Sequence, residues 1–315
     1  MTPSPSLLSI IVTLLVTAVQ SGTVLLLPTV GEIFTERSGV LNLGLEGMML
    51  IGAFFGFVAA YYSHNPYVGL VAGALAGGLA ALLHAFVCIT LRGNQTVSGL
   101  ALSIFGAGLT GFYGDAFITQ RLTQSIPRLA IPGLSSIPIV GPILFNQDIV
   151  VYLSYMLVAA LWFLLYRTRP GVHLRAVGEN AKAADAMGVN VGATRYFWTC
   201  IGGVLAGLGG AYMTCRVNPF WLQGITSGQG WIAVALVVFA MWNPVTALAG
   251  AYLFGSIMAL QFQLQAAGVS INANLLSMMP YLVTFIVIIV ATLIVRVRHL
   301  GTPRELGVPY VREEK

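Results

Sequence analysis

The sequence contains few charged residues for its length. Only 8% of its 315 residues are Asp, Glu, Lys or Arg, whereas 57% are hydrophobic and the mean hydropathy is +0.86. A soluble domain usually carries about a quarter charged residues. The shortage of charge therefore excludes an ordinary soluble domain. It predicts an integral protein of the cell membrane (inner or plasma membrane) that crosses the lipid bilayer several times.

The sequence also lacks the common catalytic and metal-binding motifs. Its two lysines, Lys182 and Lys315, do not follow a glycine-rich phosphate-binding loop, so we do not expect this chain to hydrolyse ATP. No H-E-x-x-H, C-x-x-C or G-x-S-x-G motif is present. The three cysteines, Cys88, Cys200 and Cys215, are not spaced like metal ligands and are interpreted as small apolar residues. We expect no catalytic residue, no metal and no bound cofactor in this chain.

Apolar segments of the length that a membrane-spanning helix needs, about 20 residues, recur along the chain. We predict nine such helices, within a range of eight to ten. They cover approximately residues 7–30, 45–62, 67–91, 95–117, 148–166, 196–215, 231–242, 245–265 and 275–295. The segment 119–147 is rich in proline and glycine and is predicted to be a loop. The fold class is therefore all-α, a single polytopic transmembrane bundle over residues 1–315.

The distribution of cations indicates which side of the membrane each loop faces. If residues 167–195 are cytoplasmic and the helices alternate, twelve cations fall on the cytoplasmic side and only Arg121, Arg128 and Arg216 fall outside. This predicts an N-terminus outside and a cytoplasmic C-terminus, in a basic tail over residues 296–315. The net charge of +5 is explained in this way, without nucleic acid as a partner.

Residues 167–195 form a charged segment between two apolar ones, with four arginines, one lysine, one glutamate and one aspartate. Such a segment cannot lie in hydrocarbon and must project into water. Asn180 is expected to cap a helix of about two turns over residues 181–187, and Gly188 stands where a C-terminal glycine is typical. A helix this short needs a packing partner.

The predicted helix has a small apolar face. Ala183, Ala184 and Met187 are expected to form it, while Lys182 and Asp185 point away. This shape suits a groove on a partner protein. The alternative is an ordinary cytoplasmic loop.

Polar residues near membrane depth are costly there and are therefore candidates for a transport path. Asn42 and Glu46 could line a cavity in a broken segment, or Glu46 could lie at the interface and pair with Arg37. Gln95 and Ser98 open the fourth span and could equally mark a helix start. We take these four, Asn42, Glu46, Gln95 and Ser98, as the candidate path residues.

Three further polar residues lie within predicted spans. His84 is mid-span and is expected to form a hydrogen bond with a neighbouring helix rather than to contact substrate. Gln261 and Gln265 share one face near the outer end of the eighth span. They could ring a pore mouth or simply meet the interface.

Two motifs resemble a known family of transport proteins. The stretch GENAKAADAMGVNV is similar to the coupling-loop motif E-x-x-x-A-A-x-x-x-G of the permease subunits of bacterial ABC importers. The stretch ERSGVLNLGLEGMMLIGAF, residues 36–54, resembles the branched-chain amino acid and ribose permease superfamily. Within it, nucleoside and simple-sugar permeases are the most similar, over residues 22–295.

The resemblance implies a coupling role for the charged segment. It implies that the segment docks on an ATPase through the positions Glu179, Asn180, Ala183, Ala184, Asp185 and Gly188, of which Glu179, Ala183, Ala184 and Gly188 are the motif residues. ATP and Mg²⁺ would then be bound by that separate ATPase subunit.

The resemblance also implies the other partners and the substrate. They are a second related permease and an extracytoplasmic substrate-binding lipoprotein, with a nucleoside or nucleobase as substrate and a simple sugar such as ribose as the alternative. The rival class is a stand-alone secondary transporter, which needs intramembrane carboxylates for ion coupling. Glu46 and Asp115 are the only candidates for them in this sequence.

Overall fold

The computed structural model of the chain is a bundle of long apolar helices, described over residues 7–267, 272–298 and 301–312. The helices are α1 (Leu7–Arg37), α2 (Leu45–Ser63), α3 (Pro66–Ala85), α4 (Gln95–Gly114), α5 (Val140–Leu144), α6 (Ile149–Arg167), α7 (Arg169–Glu179), α8 (Ala181–Ala186), α9 (Val191–Tyr212), α10 (Gln229–Phe239), α11 (Pro244–Ala266), α12 (Ala273–Ser277) and α13 (Met279–Arg298). Helices α3 and α9 each continue as one π-helical turn, Phe86–Thr90 and Met213–Val217.

Seven of these helices are long and apolar enough to cross a membrane, namely α1, α2, α3, α4, α6, α9 and α11. Helix α10 and the stretch Asn274–Val290 are shorter apolar helices. Each of the nine predicted segments therefore contains helix, and the mainly helical, multi-span fold is confirmed. The predicted loop 119–147 contains regular structure that the sequence did not indicate: α5, and the antiparallel strands β1 (Arg128–Ala130) and β2 (Asn146–Asp148).

Helix α1 is longer than the sequence predicts. The predicted end near residue 30 is wrong, because the helix continues through the polar residues to Arg37. Glu32 and Glu36 are buried in it, and each accepts a hydrogen bond from a remote donor: Asn42 Nδ2 lies 3.0 Å from Glu32 Oε2, and Trp242 Nε1 lies 2.6 Å from Glu36 Oε2. A buried carboxylate needs such partners. Glu32 Oε1 has no hydrogen-bond partner among the described residues.

Helix α9 lies at the centre of the bundle, and glycines allow its neighbours to approach it closely. A Cβ atom built on Gly52 of α2 would lie 2.3 Å from the Cα of Gly207 in α9. A Cβ atom on Gly77 of α3 would lie 2.4 Å from the carbonyl oxygen of Gly203. Small residues at such positions are typical of helix packing in membranes.

Two sets of helices pack in a matching pattern. Helix α2 packs on α4, and α10 packs on α13 in the corresponding way. Likewise α9 packs on α3, and α1 packs on α11. Helices α1 and α9 run antiparallel, since Pro28 lies against Gly209 whereas Thr35 reaches the carbonyl oxygen of Trp198. The N-terminal ends of α2 and α10 meet inside the protein, where Gly230 N donates to Glu46.

The loops that the cation count assigns to one side lie together at one end of the bundle. Residues 38–44, 167–190 and 301–312 are in mutual contact there. At the other end, Leu122 N donates to the carbonyl oxygen of Pro219, and Arg216 pairs with Asp148 at 3.2 Å. Helix α6, with 19 residues, connects the two ends.

Candidate functional site

The charged segment 167–195 folds into more structure than one short helix. Helix α7 comes first; Thr168 caps it by accepting a hydrogen bond from Gly171 N at 3.4 Å, and Leu174 on its inner face is fully buried. Helix α9 then begins at Val191, five residues earlier than the sequence predicts. The predicted loop is therefore shorter than expected, because residues 191–195 belong to α9.

Helix α8 forms with the caps that the sequence predicts. The Asn180 side chain accepts a hydrogen bond from Ala183 N at 2.9 Å, and Gly188 has the left-handed φ of +86° that favours glycine. The helix ends at Ala186, one residue before the predicted end.

The faces of α8 differ from the prediction in one residue. Ala181 and Ala184 are buried against Val177 of α7, so placing Ala184 on the outward apolar face is wrong. Ala183 is exposed, and Met187 is 84% exposed. A helix of six residues is stable only if it buries part of itself, and Ala184 serves that purpose. Of the predicted apolar face, Ala183 and Met187 therefore remain outward, and the neighbouring Ala186 is exposed as well.

The C-terminal segment, residues 301–312, lies across this region. Glu305 N donates to the carbonyl oxygen of Gly178 at 2.9 Å, and Gly307 N donates to that of Gly39 at 3.2 Å. Tyr310 packs on the cluster beneath α8. Of the predicted basic tail 296–315, residues 299–300 and 313–315 lie outside the described residues.

Two of the predicted coupling residues form ion pairs with the C-terminal segment. Asp185 lies 3.2 Å from Arg312, and Glu179 lies 3.8 Å from Arg304. Ion pairs at exposed positions stabilise weakly. Their geometric consequence is clear, because they hold the C-terminal segment along one side of α8 while Ala183 and Met187 stay uncovered.

Arg195 connects three parts of this end of the protein. Its side chain, on α9, is 2% exposed; Nε donates to the carbonyl oxygen of Ser38 at 3.1 Å and Nη1 to that of Val308 at 3.0 Å. Gly39, at a φ of +90°, makes room for the guanidinium, since a Cβ atom there would lie 2.8 Å from Nη2. The sequence offers no signal for this role, because both acceptors are backbone oxygens of distant segments.

Asn42 and Gln95 meet at the turn after α1. Both are buried. Asn42 donates to Glu32 and accepts a hydrogen bond from Gly44 N at 3.0 Å, while Gln95 accepts one from Leu41 N at 2.6 Å. These two candidate path residues therefore fix the conformation of the turn.

Ser98 reaches the same turn through a histidine. Its Oγ lies 3.0 Å from His84 Nδ1, and His84 Nε2 lies 3.1 Å from the carbonyl oxygen of Leu41. The expected hydrogen bond of His84 to a neighbouring helix is thus present. A contact of Asn42, Gln95 or Ser98 with substrate stays a prediction.

Glu46 lies apart from the other three and faces the first turn of α10. Its carboxylate accepts hydrogen bonds from Gly230 N at 2.7 Å, Gly228 N at 3.0 Å and Thr226 Oγ1 at 2.5 Å. A helix N-terminus favours a negative charge of this kind. The alternative pairing with Arg37 is wrong, because the Arg37 side chain donates to the carbonyl oxygen of Trp242 instead.

All four candidate path residues form hydrogen bonds with other groups of the protein. Within residues 7–267, 272–298 and 301–312, no three His, Cys, Asp or Glu side chains lie close enough together to hold a metal ion. Helix α8 lies at one end of the bundle with Ala183 and Met187 exposed.

Comparison with known proteins adds a family. The family described as "Branched-chain amino acid transport system / permease component" matches residues 13–292. The chain is 40% identical to TsgC13 of Haloferax volcanii, provisionally named a glucose ABC transporter permease protein, over 95% of this chain and 98% of that protein.

Two bacterial relatives carry nucleoside names. The chain is 36% identical to the guanosine ABC transporter permease protein NupQ of Bacillus subtilis, over 92% of this chain and 94% of that protein. It is 34% identical to the nucleoside ABC transporter permease protein NupC of Lactococcus lactis, over 93% and 94% respectively.

Among solved structures, the fold is similar to an inward-facing ABC transporter provisionally assigned to the metal-chelate type. The TM-score is 0.52 at 16% sequence identity, covering 88% of this chain and 84% of that one. At this identity the likeness concerns the fold alone.

Proposed function

Because the chain belongs to the permease components of the branched-chain amino acid transport family, we propose that its helix bundle forms the path of a nucleoside or nucleobase across a membrane. The chain is a multi-pass membrane protein and a permease subunit of the ABC importer type. Two relatives with nucleoside names, each matched over more than 90% of both chains, support the substrate. A simple sugar such as ribose or glucose is the second candidate, favoured by the similarity to TsgC13.

The proposed topology has nine crossings, an external N-terminus and a cytoplasmic C-terminus. The clustering of residues 38–44, 167–190 and 301–312 at one end supports it, since these segments, together with Arg37 and Arg195 beside them, carry eight of the 15 lysines and arginines. Helix α10, with 11 residues, would cover about 16 Å, roughly half of the hydrocarbon thickness. The turns that precede it, in which Ile225 and Thr226 are buried, would complete the crossing.

Helix α8 is the proposed docking element for a soluble ATPase. The observation that carries this proposal is an uncovered pair, Ala183 and Met187, on a helix supported from beneath by Ala184. Asn180 and Gly188 fix the two ends of α8, Glu179 precedes it, and Asp185 lies in its last turn. ATP and Mg²⁺ would be bound by the ATPase.

The proposed mechanism transmits motion from α8 into the bundle. ATP-driven closure of two ATPase subunits would push α8 and, through the C-terminal segment and Arg195, the turn after α1. That turn is fixed to α3 and α4 by His84 and Gln95. A second related permease would enclose the other side of the path, and an extracytoplasmic lipoprotein would deliver the substrate.

Glu46 and Asp115, the two carboxylates that the sequence offers for ion coupling, do not support a stand-alone, ion-coupled transporter. Glu46 is fully engaged by two backbone amides and one hydroxyl, and Asp115 is exposed just beyond the end of α4. Neither is placed like an intramembrane group that binds and releases an ion during transport.

Co-purification tests the docking proposal. Met187→Asp introduces a charge on the uncovered surface of α8 and should abolish capture of the co-expressed ATPase together with ATP-dependent uptake of labelled uridine or guanosine. Val172→Asp is the matched control, since Val172 is an exposed aliphatic residue of α7. If both variants retain the ATPase and transport at the level of the unmodified protein, α8 is not the docking element.

A further inference from the structure

A cavity of about 400 Å³ lies at the end of the bundle opposite α8. Its walls are the end of α9, the segment 218–229, helix α11 and the beginning of α13. The segment 218–229 belongs to this end because Leu122 N donates to the carbonyl oxygen of Pro219 at 2.9 Å. The volume is within the range of sites for small molecules.

The lining combines apolar residues with neutral polar side chains. Five carboxamides (Asn218, Gln223, Gln229, Gln261 and Gln265) and three aromatic rings (Phe220, Phe262 and Tyr281) contribute to it. Among the described residues that line the cavity, none is Asp, Glu, Lys, Arg or His. A carboxamide offers both donors and acceptors of hydrogen bonds, without a formal charge.

One of these carboxamides lacks a partner. The Gln229 side chain is 6% exposed, and its Oε1 is buried without a hydrogen-bond partner in the described part of the chain. Buried polar atoms are normally satisfied, so an unpaired carbonyl oxygen at a cavity wall indicates a place for an external donor. Gln229 is also the first residue of α10.

The backbone beside Gln229 is held in place by Glu46. The hydrogen bonds from Gly228 N, Gly230 N and Thr226 Oγ1 to the Glu46 carboxylate fix the residues on both sides of Gln229. The Tyr281 hydroxyl donates to the carbonyl oxygen of Ser227, which joins α13 to the same wall. Glu46 is therefore a positioning residue for this wall of the cavity.

The opposite wall comes from α11. Gln261 and Gln265, one turn apart, both line the cavity, and Gln261 Nε2 donates to Ser277 Oγ at 3.4 Å. The half-buried Gln263, between them in sequence, is not part of the lining. The sequence left open whether the pair faces a pore mouth or only the interface, and the structure places both side chains on the cavity.

We propose that this cavity is a substrate-binding site for an uncharged ring compound that carries hydroxyl groups. Nucleosides and simple sugars share this chemistry, and the base of a nucleoside adds amide groups. The proposal rests on the proposed function and deepens it. Carboxamides match the hydroxyl groups of a sugar and the polar edge of a base, and aromatic side chains stack on a base. A free amino acid fits poorly, because its carboxylate and ammonium would lose water without gaining a charged partner.

Uptake by the complete transporter tests the proposal. Proteoliposomes with this permease and its partner proteins are supplied with labelled uridine, ribose, glucose or leucine. Gln229→Leu and Gln261→Leu should each lower uridine uptake at least tenfold, with capture of the ATPase unchanged. Gln263→Leu, the same substitution on α11 outside the cavity, should transport at the level of the unmodified protein.

Thiol labelling supplies a readout of binding that does not depend on transport. Gln265→Cys should react with a water-soluble thiol reagent, and saturating uridine should slow that reaction at least fivefold, whereas Gln263→Cys should show no such protection. Ribose protecting as well as uridine would assign the site to the sugar moiety.

The outcomes separate this proposal from the proposed function. If the unmodified transporter takes up neither nucleosides nor sugars, the proposed function fails. If it takes up uridine while both leucine variants do so equally well and uridine gives no protection, the function stands and the assignment of this cavity is overturned.

Discussion

Arg195 Nε donates a 3.1 Å hydrogen bond to the carbonyl oxygen of Ser38 and so joins the start of α9 to the turn after α1. The same guanidinium reaches the C-terminal segment at Val308. The turn and the C-terminal segment are thus anchored to the central helix by one buried cation. The C-terminal segment and the end of α1 also contact α7, which precedes the proposed docking helix.

Arg195→Ala should destabilise the protein strongly. The substitution leaves the buried carbonyl oxygen of Ser38 and the partly buried one of Val308 without this donor, and a space where the guanidinium lay, a combination expected to cost about 3 kcal/mol. The thermal unfolding midpoint in detergent should fall clearly. Arg304→Ala is the control, since Arg304 is 86% exposed and its loss should cost less than about 1 kcal/mol. Equal midpoints for the two variants would contradict the assigned role.

Gly178→Ala should disturb the contact between α7 and α1. A Cβ atom at this position would lie 2.1 Å from the carbonyl oxygen of Arg37 and 3.4 Å from Pro303. Overpacking of this kind costs about 1–3 kcal/mol. We expect ATP hydrolysis that is no longer accompanied by uptake, measured side by side in proteoliposomes.

Gly192→Ala is the matched control for that experiment. Gly192 lies near the start of α9, at the same end, and its nearest neighbour would be 3.7 Å from an added Cβ atom. This variant should couple hydrolysis to uptake normally. A similar loss in both variants would show that the contact of Gly178 is not responsible.

Glu46→Gln should weaken the junction between α2 and α10. The carboxylate accepts three hydrogen bonds with two oxygens, whereas glutamine has one acceptor oxygen and presents an NH₂ group to a donor. The expected loss of stability is about 2 kcal/mol. Asp115→Asn, at an exposed position, should have little effect on the unfolding midpoint.

The variant Glu46→Gln also tests ion coupling. Uptake that remains in Glu46→Gln should still require ATP and should be insensitive to proton and sodium ionophores. If the unmodified protein loses uptake on addition of an ionophore and Glu46→Gln does not respond, the carboxylate has an ion-coupling role instead.

Removal of the C-terminal segment from residue 301 onward should loosen α8. The truncation removes the hydrogen bonds to Gly178 and Gly39 and the ion pairs of Arg304 and Arg312. Amide hydrogen exchange in residues 181–188 should become at least tenfold faster. Truncation after Arg312 keeps all of these contacts and should leave the exchange unchanged.

Local features of the site could be read from the sequence. Asn180 and Gly188 fix the ends of α8 through their own backbone neighbourhood, so their spacing predicted the helix to within one residue. The faces of α8 could not be read in the same way, because burial of Ala184 depends on Val177 and the rest of the cluster beneath it.

Features that depend on contacts between distant parts of the chain could not be predicted from the sequence. Glu32 and Glu36 looked like an interruption of α1, yet the helix continues through them, and Asn42 and Trp242 each donate a hydrogen bond to one of the two carboxylates. The burial of Gln229 beside a cavity is likewise set by elements that meet only in the folded chain.

The sequence by itself determined the class of the protein and which loops lie at the same end of the bundle. The reason is that the length of an apolar segment and the placement of cations are properties of each segment alone. Only the tertiary structure decided what the buried polar residues do. Glu46 and its donor Gly230 are 184 residues apart in the sequence, and Arg195 and its acceptor Ser38 are 157 residues apart. Hydrogen bonds over such separations depend on how helices pack, and no local pattern encodes them.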